Sequence, residues 1–179
     1  MDRFKTRELT LIAVFSAAWI GYTFISSMTI GQVVHGVDVH VVRSVFLVLI
    51  VALLGRFGGA TWMTVIVGLF YLSSRTPYPA IIITLATMAS GLVYDVYIRI
   101  LGYQNSVNWK IMPVGVILAG LVQSVVTLGS LTAMGFFPSR ILQTVWVTGL
   151  GRNVIASILA SFICLAISKR VLSAYGQNY

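Results

Sequence analysis

The residue types best suited to binding a small molecule lie on the last long apolar segment of the chain. If that segment is helical, Gln143, Trp146 and Asn153 fall within about 80° of one another around its axis. An indole ring offers a flat apolar surface, and amide groups both donate and accept hydrogen bonds. This combination suits a flat heteroaromatic ligand, so we expect this face to line a binding cavity.

Polar stripes on the two preceding apolar segments favour the same cavity. Gln123 and Thr127 stand one helical turn apart on the fifth segment, and Thr84 and Thr87 form a similar stripe on the fourth. Each stripe taken alone also fits hydrogen bonding between helices, and that alternative stays open. Their convergence on one half of the bundle favours a cavity, and Tyr78, just before the fourth segment, is a further ligand-binding candidate.

The loop before the second segment carries residues that bind anions or metals. His35, Asp38 and His40 offer nitrogen and oxygen ligands of the kind that transition metals prefer. Their spacing matches no specific metal motif, so we expect no bound metal and no other cofactor. His40 and Arg43 stand three positions apart and together suit an anionic group. We interpret these four residues as substrate contacts or as part of a lid.

Two charged residues, Asp95 and Arg152, fall deep within apolar segments. Charges inside a membrane are costly and are functional candidates by default. At 1.5 Å per residue they lie about 22 Å and about 18 Å below the outer ends of their segments. Because these depths nearly match, we predict a buried ion pair between them. Arg99, four residues after Asp95, is the alternative partner.

The chain lacks the catalytic signatures of common enzymes. It has no Gly-x-Ser-x-Gly, no His-Glu-x-x-His and no Gly-rich phosphate-binding loop with a lysine. Four acidic residues in 179 leave little material for general acid–base catalysis. We therefore expect a protein that is not an enzyme and that needs an ATPase partner for active transport.

The composition is that of an integral membrane protein. Only 9% of the residues are charged and 58% are hydrophobic, whereas soluble domains carry about 25% charged residues. The net charge of +8 is spread between apolar segments, which favours membrane topology and argues against nucleic-acid binding. We expect one all-α domain, a six-helix bundle in lipid. Turn signals separate its helices, at about 9–28, 39–55, 57–73, 79–101, 112–135 and 141–168.

Basic residues predict the orientation of this bundle. With the N-terminus in the cytoplasm, eight of the twelve Lys and Arg residues fall at cytoplasmic ends, and only Arg75 and Arg140 lie at outer ends. This bias follows the positive-inside rule, so both termini are expected in the cytoplasm. A cleaved signal peptide is the alternative for the N-terminal segment, but its apolar run is too long, and we interpret it as a first helix.

Small residues four apart form a ladder on that first helix. Ala13, Ala17 and Gly21 would share one face and let another helix approach closely. The approaching helix belongs either to this bundle or to a separate subunit.

Three stretches of the chain resemble the substrate-binding S components of energy-coupling factor (ECF) transporters, the small membrane proteins of vitamin uptake. They are TRELTLIAVFSA at 6–17, GRFGGA at 55–60 and SGLVYD at 90–95. The resemblance extends over most of the chain. It implies six helices, with the substrate held near the outer surface by the first loop and helices four to six.

The resemblance also implies partners. In that family an Ala-xxx-Ala ladder on the first helix docks against a transmembrane T subunit, which works with two cytoplasmic ATPase subunits. Ala13 and Ala17 match that ladder, and Gly21 extends it. We therefore expect the binding subunit of an ATP-driven importer in a prokaryotic plasma membrane, specific for a vitamin or its precursor. The alternatives are an assembly subunit without a ligand, a metal-ion carrier and a membrane-embedded enzyme.

Overall fold

A computed structural model describes residues 4–28, 37–73 and 78–174. Within these ranges the chain forms six α-helices and no β-strand, which confirms the all-α prediction. Two short 3₁₀ turns, at Tyr103–Asn105 and Ser139–Ile141, precede the last two helices. The helices are α1 (Thr6–Met28), α2 (Val37–Leu54), α3 (Gly59–Leu72), α4 (Ala80–Leu101), α5 (Met112–Ala133) and α6 (Leu142–Ala174).

Five stretches are long and apolar enough to cross a bilayer: α1, α2, α4, α5 and the stretch Ser139–Ile167, which includes most of α6. The protein is therefore a multi-pass membrane protein. Helix α3 is apolar but has only 14 residues, about 21 Å of helix against about 30 Å of hydrocarbon. A sixth crossing and the cytoplasmic location of both termini stay predictions.

Helix α2 lies at the centre of the bundle. It packs most extensively against α6 and also contacts α1, α3 and α5. Its side chains Leu47, Val48, Ile50 and Val51 are completely buried. Helix α1 packs mainly against α2 and α3, so it lies at the periphery.

The contact between α3 and α4 depends on small residues. A Cβ atom added at Gly91 would collide with Thr64 Oγ1 and lie 2.8 Å from the Ala60 carbonyl oxygen. Further along the same contact, the Thr84 hydroxyl donates a 2.8 Å hydrogen bond to the carbonyl oxygen of Gly68. Close backbone approach and side-chain hydrogen bonds of this kind join helices where no hydrophobic effect acts between them.

We predict that Gly91→Ala lowers the free energy of unfolding by about 1–3 kcal/mol, because the added methyl group overpacks the α3–α4 contact. The matched control is Gly21→Ala on α1, where an added Cβ has no atom within 4 Å. The control should leave stability unchanged or raise it by up to about 1 kcal/mol, because Ala favours helix. Denaturant titration of both variants in detergent is the measurement, and equal stability of the two would contradict the prediction.

Candidate functional site

A cavity of about 790 Å³ lies between α5 and α6, next to the first residue of α2 and the segment before α4. Pockets for small ligands have volumes of about 300–1,000 Å³ and mostly apolar walls. This cavity fits both criteria. Its wall consists of Val37, Tyr78, Thr127, Leu128, Leu131, Phe137, Val145, Thr148, Gly149, Gly151, Arg152 and Ile155.

The polar groups in this wall are few. Tyr78, Thr127 and Thr148 supply hydroxyl groups, and Arg152 supplies the one charge among the wall residues. Tyr78 also lies within electrostatic range of Arg152. A wall of this kind can bind an apolar body and orient it through a small number of polar contacts.

Aromatic rings from two loops meet beside the cavity. The ring centroid of Phe136 lies 5.7 Å from that of Tyr78 and 6.0 Å from that of Phe137, both in edge-to-face geometry. Pairs at these separations attract one another beyond their buried area. The contact joins the segment before α4 to the loop between α5 and α6, and so closes one side of the wall.

The α6 face predicted to line the cavity packs elsewhere. The indole nitrogen of Trp146 donates a 3.2 Å hydrogen bond to Thr132 Oγ1 on α5, and Asn153 Nδ2 donates to Ser124 Oγ on α5. Gln143 is exposed at the bundle surface. None of these three predicted residues belongs to the wall. Trp146 and Asn153 instead form hydrogen bonds between helices, which is the alternative that the sequence left open for polar faces.

The spacing of polar residues along α6 does not show which side of the helix faces the cavity. The wall residues of α6 centre on the side roughly opposite the predicted face, since successive residues turn by about 100°. Their signal in the sequence is weak. Gly151 leaves space, Gly149 lets Leu128 of α5 approach closely, and Arg152 follows directly. The sequence feature that indicates the cavity side of α6 is a pair of glycines next to a cation within the membrane.

Other predicted ligand-binding residues divide between the cavity wall and buried positions outside it. Thr127 and Tyr78 line the cavity. Gln123 lies one turn along α5 from Thr127, and its Oε1 atom is buried without a hydrogen-bond partner. The Oδ1 atom of Asn153 is likewise buried and unpaired. Both oxygen atoms lie outside the cavity wall.

Arg43 on α2 is only 1% exposed. Its Nη1 atom lies 3.3 Å from His40 Nδ1, and its Nη2 atom donates to Ser44 Oγ at 3.4 Å. A Cβ added at Gly120 on α5 would lie 3.2 Å from Nη2, so the absence of a side chain there makes room for the guanidinium. Among the described residues, no carboxylate lies within 4 Å of Arg43. It is a buried cation with neutral partners.

Residues of the first loop have separate environments. Asp38 Oδ2 accepts hydrogen bonds from Tyr22 Oη at 3.2 Å and from Ser26 Oγ, both on α1. Asp38 thereby holds the first turn of α2 against α1. His35 lies outside the described residues. Within the described ranges, no three His, Cys, Asp or Glu side chains come together as a metal site.

The structure does not bring Asp95 and Arg152 together. Asp95 Oδ2 accepts hydrogen bonds from the backbone N–H of Thr61 at 2.7 Å and from its hydroxyl at 2.6 Å. Gly58, which precedes α3, has no side chain to cap that helix, and a carboxylate at a helix N-terminus takes this role. Asp95 is therefore a cap for α3 supplied by α4. The alternative partner, Arg99, lies over the ring of Phe57, 5.2 Å from its centroid.

These two charges occupy opposite ends of the bundle. Arg152 shares the cavity wall with Val37, where α2 begins, whereas Asp95 binds the start of α3, which follows the end of α2. The sequence estimate measured depth from predicted helix ends and took both helices as upright. Similar distances from the predicted helix ends therefore do not place the two residues at one level of the bundle.

The ladder residues lie on the outward side of α1. Ala13, Ala17 and Gly21 are all exposed, whereas Ile12 and Trp19 face the core. A Cβ at Gly21 would have no atom within 4 Å. Among the described residues, this face of α1 is not used for packing within the bundle.

Comparison with family models, with curated proteins and with solved structures found no match. The class of protein follows from the fold and the site alone. It is a multi-pass helical membrane protein, in which one side of α6 and part of α5 line a mostly apolar cavity.

We predict that double-mutant cycles in the free energy of unfolding separate the two proposed partners of Asp95. Asp95→Ala and Thr61→Val should show a coupling of about 0.5–3 kcal/mol, because the two side chains share a hydrogen bond. Asp95→Ala and Arg152→Gln should be additive within about 0.5 kcal/mol, because the residues do not touch. Coupling in the second cycle, with additivity in the first, would restore the predicted ion pair.

Proposed function

We propose that this protein is the substrate-binding subunit of an ATP-driven, ECF-type importer, which captures a small water-soluble vitamin or precursor at the outer face of a prokaryotic plasma membrane. The observation that carries the proposal is the cavity of about 790 Å³ between α5 and α6. A subunit with only an assembly role has no need of such a space in its interior.

The charge distribution supports an outward position for the cavity. Its wall includes Val37 at the start of α2 and Phe137 in the loop before α6. The basic residues Arg56, Arg99 and Lys110 lie toward the other ends of the helices. Under the positive-inside rule that end is cytoplasmic, and the cavity then opens toward the outside. This orientation includes α3 as a short sixth crossing.

Transport by this protein needs an external source of energy. The sequence has no nucleotide-binding loop, so ATP hydrolysis would come from the two ATPase subunits through the T subunit. The outward ladder of Ala13, Ala17 and Gly21 is the proposed surface for the T subunit, because small side chains let another helix approach closely. The resemblance of 6–17 to the S components supports the same assignment.

We predict that Gly151→Phe abolishes retention of a small molecule by the purified protein. A Cβ at Gly151 has no atom within 4 Å, so the ring can enter the cavity without displacing a neighbouring helix. The matched control is Val147→Phe, on the same helix but 65% exposed and outside the wall. Native mass spectrometry from detergent measures the bound mass in each variant.

The wild-type protein and Val147→Phe should carry one small molecule per chain, and Gly151→Phe should carry none while melting at a similar temperature. A wild-type protein that retains nothing would favour an assembly subunit. Retention by all three variants would show that the molecule binds elsewhere.

We predict that Ala17→Trp prevents assembly with the T subunit and the two ATPase subunits but leaves small-molecule retention intact. The indole would hold the partner helix away from the ladder. Ala18→Trp is the control, because Ala18 is also exposed on α1 but lies about 100° around the helix axis from Ala17. Size-exclusion chromatography of the four co-expressed subunits measures assembly. Equal loss of assembly in both variants would contradict a docking role specific to the ladder.

A further inference from the structure

Positive charge exceeds negative charge at the cavity end of the bundle. Arg152 lies in the wall and Arg43 is buried nearby, and His40 is within electrostatic range of both guanidinium groups. The one carboxylate in this part of the described chain is Asp38, whose Oδ2 is bound to two hydroxyl groups of α1. Among the residues that the structure describes, the wall contains no acidic side chain.

The neutral surroundings of Arg43 leave its charge effective at the cavity. Its contacts are an imidazole nitrogen and a hydroxyl group, neither of which cancels a full positive charge. In a medium of low dielectric constant, a charge acts over a longer range than it does in water. Arg43 therefore raises the electrostatic potential of the cavity without being part of its wall.

We infer that the molecule bound in this cavity is a monoanion, a carboxylic acid with an apolar or aromatic body, whose carboxylate pairs with Arg152. The inference rests on the proposed function and names its substrate class. A planar guanidinium donates two parallel hydrogen bonds to a carboxylate. The remaining wall, with Tyr78 and Phe137 on one side and aliphatic residues opposite, accommodates the uncharged body.

Charge and desolvation exclude the other common classes of ligand. A cationic molecule would enter a positive potential and find no carboxylate in the wall. A phosphate ester carries close to two charges. Among the described wall residues only Arg152 can pair with it directly, since Arg43 lies outside the wall, and the second charge would keep a large desolvation cost. A single carboxylate matches Arg152, the one cation among the described wall residues.

The test uses full-length protein and asks whether the acidic group matters. The small molecule retained by the wild type is identified by mass spectrometry and checked for a carboxylate by methyl esterification. In parallel, thermal melting is measured with matched probes: benzoate, nicotinate and indole-3-acetate, each against its own carboxamide. The variants are Arg152→Gln, Arg152→Lys and the control Arg140→Gln, which removes the same charge from an exposed residue outside the wall.

We expect a retained carboxylic acid, and a preference for at least one probe acid over its amide. Arg152→Gln should weaken binding of that acid by about 10- to 150-fold, the range for a hydrogen bond to a charged group. Arg152→Lys should keep the preference in weakened form, and Arg140→Gln should bind like the wild type. If Arg152→Gln does not fold, the inference is still tested by Arg152→Lys and by comparing each probe acid with its amide in the wild type.

Two results overturn this inference and leave the proposed function in place. One is a retained molecule without an acidic group, and the other is an acid whose binding Arg152→Gln leaves unchanged. A wild type that retains nothing and responds to no probe would overturn both the inference and the proposed function.

Discussion

Polar groups inside this bundle must find their partners within the protein, because lipid supplies none, and most of its architecture follows from that constraint. Asp95 on α4 caps the N-terminus of α3, whose own preceding residue is a glycine. Thr84 reaches the backbone of α3 at Gly68. At the cavity end of the bundle Asp38 joins α2 to α1 through two hydroxyl groups. Each of these contacts joins two helices at a fixed register, so together they position the elements that surround the cavity.

Glycine residues make these contacts possible. Gly91 brings α4 against α3, and Gly120 leaves the space that the Arg43 guanidinium fills between α2 and α5. Gly151 has a different effect, because a Cβ added there has no atom within 4 Å and the residue forms part of the cavity wall. Glycine therefore has two opposite effects in one bundle. It allows close packing at Gly91 and Gly120, and it leaves open space in the cavity wall.

Much of the fold follows from composition and hydrophobic pattern, whereas the site depends on packing. Apolar runs between turn signals predict an all-α membrane protein, because each run must form a helix to satisfy its backbone in lipid. The side of a helix that faces a cavity is a different matter. Trp146 and Asn153 have side chains that suit a ligand and equally suit a neighbouring helix, and the structure pairs them with Thr132 and Ser124. The same holds for Asp95, whose partner is a helix terminus that residue spacing does not reveal.

The length of α6 has a consequence for the cavity. The helix has 33 residues, about 50 Å, whereas the hydrocarbon core of a bilayer is about 30 Å thick. A helix of that length tilts or extends into the aqueous phase, and its tilt depends on the thickness of the surrounding lipid. Arg152 lies about 33 Å from the far end of the helix, so a tilt of about 10° around that end moves it by about 6 Å. A tilt toward or away from α5 would change the width between these two helices, and with it the size of molecule that fits there.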